Sequence, residues 1–344
     1  MLLADYFQST HDITWDFAKQ CGVKYGVIRL PENKDFDITE KSHWRSCIQK
    51  FTEFGIKPIV IEPMPDSLHH HIKIGDAQRD ECIEKVIKMM EFMHEFQIKT
   101  ICFNWMAYIG WTRTSKTVPG RGGALTTGFD ISEFQGGMEK ITKKQLWENY
   151  EYFIKAVIYY AEKYEINLAL HPDDPPVEKL GSVERIMINR ENIKRAVNIS
   201  KSPRLGITMC QATYYVMGEN LYEIIPEMAE KIFFIHFRNV TGCKYKFSET
   251  FHDDGSIPMA EIMKLYKNCG IHVPVRVDHV PLMAGEKQGK AGYSALGRLY
   301  AIGYLRGILE SLGMKEDIEE PKGKAAYSNL DRTEEYALVK KGRG

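Results

Sequence analysis

The sequence predicts a (β/α)8 barrel, and three observations carry that prediction. Short β-branched or apolar runs alternate with long amphipathic stretches almost from end to end, as a parallel sheet with crossover helices requires. Eight such runs occur, at 2–7, 25–30, 58–61, 100–104, 168–171, 205–210, 232–237 and 273–278, the strand number of a closed barrel. No G-x-G-x-x-G or G-x-x-x-x-G-K-[ST] follows any run, so the phosphate-binding signature common in doubly wound open sheets is missing.

Helical patterns follow most of the runs, at 44–54, 80–96, 144–164, 221–231, 259–268 and 295–312. In the second of these Ile83, Val86, Ile87, Met90 and Met93 recur at helical intervals, with charges on the opposite face. The connections at 106–142 and 172–189 are too long for simple βα turns and read as lids or walls at the C-terminal face of the barrel. Gly120-Arg121-Gly122-Gly123 fits neither phosphate-binding pattern and reads as a flexible loop. His69-His70-His71 falls in a predicted loop and reads as surface or substrate-facing. After Leu312 the composition turns polar and charged. The expected organisation is a barrel over 1–313 and a polar C-terminal extension over 314–344.

The chain has 344 residues, 44% of them hydrophobic, with 46 basic against 46 acidic side chains. That length buries a large core, and the zero formal charge speaks against nucleic acid as a partner. No run of eighteen apolar residues occurs, so no membrane partner is expected. The opening Met1-Leu2-Leu3-Ala4-Asp5 has no basic segment and no long apolar segment, so no secretory signal is expected. Seven cysteines, at 21, 47, 82, 102, 210, 243 and 269, make no disulfide framework. The expectation is a cytoplasmic protein with reduced thiols.

The late strands end in chemistry. The fifth run ends in His171, followed by Pro172-Asp173-Asp174-Pro175-Pro176; the sixth ends in Cys210; the seventh carries His236 and then Arg238; the eighth ends in Asp278, followed by His279. A closed barrel gathers these ends around one axis, so His171, Cys210, His236 and Asp278 can surround one ion. Two imidazoles, a thiolate and a carboxylate suit a borderline divalent transition metal such as zinc, iron(II) or manganese(II), and not magnesium or calcium. Each residue alone has a plainer reading, Cys210 as a small apolar side chain and His171 as a hydrogen-bonded core histidine. The four together are harder to explain that way.

These motifs resemble a known family. Phe103-Asn104-Trp105-Met106, Trp111-Thr112-Arg113-Thr114, His171 through Pro176, Ile235 through Val240, Asp278-His279 and Gly292-Tyr293-Ser294-Ala295-Leu296-Gly297-Arg298-Leu299 are similar to the mannonate dehydratases of the xylose-isomerase-like barrel type. The likeness runs from about Val60 to Gly307. It implies a metal-dependent lyase that removes water from D-mannonate to give 2-keto-3-deoxy-D-gluconate in hexuronate breakdown, with Mn2+ or Fe2+. It also implies a homodimer, metal ligands at His171, Cys210, His236 and Asp278, and catalytic residues at Asp278, His279 and Tyr293. The chain departs from the family at Val280-Pro281, where a second histidine is usual, at the glycine-rich stretch 118–129, at 68–71, and in its opening seven residues.

Dehydration of a 2,3-dihydroxy acid needs a base at C2, an acid for the C3 hydroxyl, and positive charge beside the carboxylate. His279 and Tyr293 are the candidates for acid and base, in either order. Arg113 and Arg238 are candidate carboxylate clamps, or else structural ion-pair partners. Arg276 shares an inward strand face with Asp278 and offers a further binding group. Asn104 and Trp111 are candidates for hydroxyl contacts, with packing the plainer role for Trp111. Other functions fit the same barrel: a sugar isomerase or epimerase, disfavoured because Glu62 is the one visible strand-end carboxylate besides Asp278; a lyase on a different polyol acid; and a non-catalytic sugar-acid-binding barrel.

Overall fold

In the computed structural model, which describes residues 1–287 and 290–314, the eight expected runs close into one parallel barrel. Its strands are β1 (Leu2–Phe7), β2 (Tyr25–Ile28), β3 (Lys57–Ile61), β4 (Thr100–Asn104), β5 (Asn167–His171), β6 (Leu205–Cys210), β7 (Ile232–His236) and β8 (Pro274–Arg276). Every neighbour is the next strand in sequence, and β8 closes on β1. Register sets the height of the site. Asn104 pairs with His171, Cys210 with His236, and His236 with Arg276, so residues far apart in sequence arrive side by side at one rim.

Small and medium side chains fill the barrel interior, among them Ala4, Val27, Val60, Cys102 and Ala169, while a second and larger core lies between strands and helices. The helix Lys143–Lys163 shows how that outer layer forms. A capping box between Thr142 and Gln145 starts it, and Leu146, Tyr150, Phe153, Ile154, Val157 and Ala161 bury one face. Trp105 stacks on Phe153 at 5.6 Å and meets Tyr150 edge-on at 5.0 Å, pinning the start of the long connection after β4.

That connection is not a loose lid. Its strands Ser115–Pro119 and Leu125–Asp130 pair with a hairpin, Val240–Cys243 and Lys246–Glu249, that follows β7, making a four-stranded antiparallel sheet over the mouth. Gly120–Gly123, expected as a flexible loop, forms the turn between its first two strands, with Gly122 and Gly123 at φ of +64° and +82°. Leu125 and Leu282 exchange both backbone hydrogen bonds and tie the sheet to the segment after β8.

His69-His70-His71, expected in a loop, lie in a helix, Asp66–Ile74. The apolar side chains Leu68 and Ile72 sit four apart on its buried face, a pattern too short to stand out beside three histidines. His69 is core rather than surface, packed against Phe103 and Trp105. His71 pairs with Asp76 at 2.7 Å, and His70 alone of the three reaches the barrel mouth. The final helix, Ala295–Ser311, ends the described barrel; beyond Met314 the expected extension lies outside the described residues.

Close strand packing yields one test. A Cβ at Gly206 on β6 would fall 2.3 Å from the Lys231 carbonyl and 2.5 Å from the Phe233 ring. Gly206→Ala is expected to cost about 1–3 kcal/mol, read as a lower midpoint in urea or thermal unfolding. An unchanged midpoint would show that this packing yields.

Candidate active site

The strand ends converge as the sequence predicts. His171 Nε2 faces His236 Nδ1 at 3.1 Å, and one donor atom each from His171, Cys210 and His236 lies within 4.8 Å of the others. Asp278 joins them, with Oδ2 3.7 Å from His236 Nδ1 and 3.9 Å from Cys210 Sγ. It sits two residues past the end of β8 at φ +57°, a left-handed conformation that Asp tolerates better than most residues. That turn brings the carboxylate back over the rim.

The donor chemistry fits a cation. His171 Nδ1 donates to the Pro172 carbonyl at 2.7 Å, which fixes the tautomer and leaves Nε2 with its lone pair toward the centre. Burial pushes the His171 pKa down against the pull of Asp278 and Asp174, favouring the neutral ligand form. His236 Nε2 lies 3.0 Å from Glu62 Oε1 but obliquely, without an aligned hydrogen bond. Thr213 Oγ1 accepts from Arg238 Nη2 at 3.0 Å and lies 3.1 Å from Cys210 Sγ, a contact in which either atom can donate.

Around these donors runs a buried ionic network. Arg113 makes a bidentate pair with Asp174 (2.7 and 2.9 Å) and reaches Glu249 at 2.6 Å. Arg238 contacts Asp174 at 2.7 Å, Glu249 at 3.1 Å and Asp278 at 2.7 Å. Arg276 holds Glu62 with two bonds of 2.8 and 2.9 Å and Asp278 with one of 2.9 Å. Three guanidinium groups thus face four carboxylates, an excess of negative charge that a bound cation would balance. Burial alone would raise the pKa of Asp278, but His279, Arg276, His236 and Arg238 outweigh it and hold the carboxyl well below its usual range. Glu249 and Asp174 are likewise held low, burial being overcome in the one by His279, Arg113 and Arg238 and in the other by the two arginines.

Arg113 and Arg238 therefore sit behind the wall of the mouth rather than on it. Their donors are engaged by Asp174 and Glu249, so the clamp expectation gives way to the structural ion-pair role. Asn104 does reach the mouth, with Oδ1 accepting from the Met106 amide at 3.0 Å. Trp111 packs on His279 at 4.8 Å, and its buried Nε1 has no hydrogen-bond partner among the described residues.

His279 and Tyr293 face each other edge-on at 5.2 Å on the same wall. Glu249 Oε1 accepts from His279 Nδ1 at 2.7 Å, which turns Nε2 inward, 3.6 Å from Asp278 Oδ1. Gly292, at φ +79°, lets the backbone lie against the His279 ring, where a Cβ would come within 3.3 Å. Burial pushes the Tyr293 phenol above its ordinary pKa. The cavity they line measures about 440 Å3 and is also walled by Tyr6, Arg29, Lys73 and Lys290, none of which the sequence singled out. Burial lowers Lys73 to about 8.

A family model described as D-mannonate dehydratase matches residues 2–140 and 131–319. The chain belongs to the D-mannonate dehydratase family. It is 30% identical over 307 residues to a mannonate dehydratase of Oceanobacillus iheyensis, an alignment covering 80% of this chain and 87% of that one. To mannonate dehydratase 2 of Halalkalibacterium halodurans it is 32% identical over 295 residues, covering 75% and 83%. The crystal structure of mannonate dehydratase from Streptococcus suis serotype 2 superposes with a TM-score of 0.82 at 26% identity, over 96% of this chain and 99% of that one. A xylose isomerase domain protein from Planctomyces limnophilus, at TM-score 0.59 and 11% identity over 91% and 98%, shares the fold alone. The (β/α)8 barrel fold is thus shared with both structures.

The ionic network makes the family's fold acid-sensitive. Carboxyls held low in the folded state stabilise it above their unfolded pKa of about 4 and lose that contribution as pH falls through the folded value. Unfolding free energy is expected to be flat above about pH 5 and to decline as the pH is lowered through and below about 4. Asp174→Asn is expected to cost about 3–5 kcal/mol at pH 7, since two buried guanidinium groups lose their shared anion. Urea titrations of both proteins from pH 3 to 7 measure this, and a variant as stable as the parent would contradict it.

Proposed function

We propose that the protein dehydrates D-mannonate to 2-keto-3-deoxy-D-gluconate. The observation that carries this reading is that His279 and Tyr293 line one cavity of hexonate size with His171, His236 and Asp278, with Cys210 buried against those three, in a chain of this family. His171, Cys210, His236 and Asp278 would hold one divalent transition metal, Mn2+ or Fe2+. Such an ion supplies Lewis acidity at the carboxylate or C2 oxygen, where negative charge develops.

The chain's own groups divide the proton work. With Nδ1–H donated to Glu249, His279 presents the lone pair of Nε2 and takes the C2 proton. Tyr293, kept protonated by burial, gives its phenolic proton to the C3 hydroxyl, which leaves as water. The C2–C3 enol then collapses to the ketone: the imidazolium returns its proton to C3, and the enol hydroxyl restores that of Tyr293. Each transfer of this kind contributes about 10²–10⁴-fold. Asn104 and Trp111, which line the cavity, would meet substrate hydroxyls.

The setting follows from the same reading: a cytoplasmic homodimer in hexuronate breakdown, taking a small sugar acid. All seven cysteines are free, which supports a reducing compartment, and no helix among the described residues is long and apolar enough to cross a membrane.

Anaerobic incubation with D-mannonate and Mn2+ or Fe2+ is expected to yield the 2-keto-3-deoxy acid, whereas aldoses yield no ketose. Product from an aldose only would favour the isomerase reading, and sugar-acid binding with no turnover the non-catalytic one. Cys210→Ser is expected to lower bound metal, and Asp278→Asn to abolish turnover with the fold intact. Tyr293→Phe is expected to retain metal and lose at least about a hundredfold in kcat; an unaltered kcat would remove Tyr293 from the proton relay.

A further inference from the structure

Around the barrel the strands run in sequence order, which sets β5 and β6, with His171 and Cys210, across the mouth from β1 and β2. The facing wall has a different chemistry. Tyr6 rises from β1 and lines the cavity with Arg29, just past β2, whose charge opposes the rise that burial gives the Tyr6 phenol. The Arg276 guanidinium lies 5.4 Å from the centre of the Tyr6 ring. Lys290 Nζ lies 5.7 Å from the Tyr6 ring centre and 4.5 Å from that of Tyr293. Three cations thus crowd one tyrosine.

Their partners are unequal. Arg276 is engaged by Glu62 and Asp278. Arg29 pairs through Nη2 with Glu32 at 2.5 Å, and no other carboxylate pairs with it among the described residues. Lys290 has no carboxylate within ion-pair distance among the described residues. Its ammonium is held below its usual pKa by partial burial first, then by Arg29 and Arg276, with Glu62 opposing. A half-covered ammonium beside a guanidinium lacks an anion, and a carboxylate is the planar anion that a guanidinium fork binds best.

We propose that Arg29 and Lys290 form the subsite for the C1 carboxylate of the sugar acid. This sets C2 and C3 beside Tyr293 and His279, with the C2 oxygen toward the His171–His236 side. The inference rests on the reading above that the substrate is a 2,3-dihydroxy acid. It also gives the two cations a share in the chemistry. Removing the C2 proton drives charge onto the carboxylate oxygens, so these cations bind the transition state more strongly than the ground state.

Calorimetric titration of the metal-loaded protein with D-mannonate, and with D-mannarate, which carries a carboxylate at both ends, tests the assignment. Arg29→Met and Lys290→Met are each expected to weaken D-mannonate binding about tenfold or more and to lower kcat, with metal content and thermal midpoint unchanged. Lys290→Arg is expected to restore most of the affinity. Unchanged D-mannonate affinity in both variants overturns the subsite. A loss confined to D-mannarate also overturns it, by moving the cations to the far end of the chain. If the parent protein prefers another aldonate and both variants lose affinity for that acid, the subsite stands and D-mannonate falls. If the parent binds no sugar acid, both readings fall.

Discussion

The structure is organised by the need to pair buried charge. Arg113 and Arg238 are almost fully enclosed, and an uncompensated buried ion costs several kcal/mol. Asp174 and Glu249 meet that need from two directions. Asp174 follows β5 in the His-Pro-Asp-Asp-Pro-Pro segment, whereas Glu249 comes down from the sheet over the mouth. One pair of guanidinium groups therefore locks the covering sheet to the barrel rim. The same lock hands Glu249 to His279 and Arg238 to Asp278. Charge pairing that keeps the covering sheet in place also sets the tautomer of the candidate base and the orientation of the candidate ligand.

The legible and illegible parts of the sequence divide along this line. Strand ends were readable because a barrel's closure is a property of period and count: once eight runs are found, His171, Cys210, His236 and Asp278 must gather at one rim. Arg113 and Arg238 were readable as residues but not as roles, since a guanidinium fork serves a ligand carboxylate and a buried Asp equally well. Glu249 was not readable at all. Its strand pairs with Leu125–Asp130, more than a hundred residues earlier, and the short polar strands of that sheet lack the apolar runs that marked the barrel. Lys290 stands beside a turn with no periodicity to flag it, Arg29 is a single charge inside the run 25–30, and only the placing of Tyr6 on β1 brings them together. The helix at 66–74 was hidden for a related reason: its buried stripe is two residues long, and His69 lies in the core where an imidazole is seldom expected.

Barrels of this shape also host isomerases, and the Glu62 side of the mouth bears on that comparison. Glu62, Cys102 and His236 offer a second cluster of donor atoms within 4.8 Å of one another, adjacent to the first and sharing its histidine. Both oxygens of Glu62, however, are held by Arg276, and burial pushes the Cys102 thiol well above its usual pKa. A cation there would have to displace a bidentate guanidinium and deprotonate a reluctant thiol. The same Arg276 reaches Asp278 through Nη2, which it shares between Asp278 and Glu62. The residue that occupies the neighbouring position thus also draws the Asp278 carboxylate into place, and under the proposed function the mouth balances charge around a single centre. That centre suits an elimination, where one strong electrostatic focus beside the acid group and a proton relay across from it suffice.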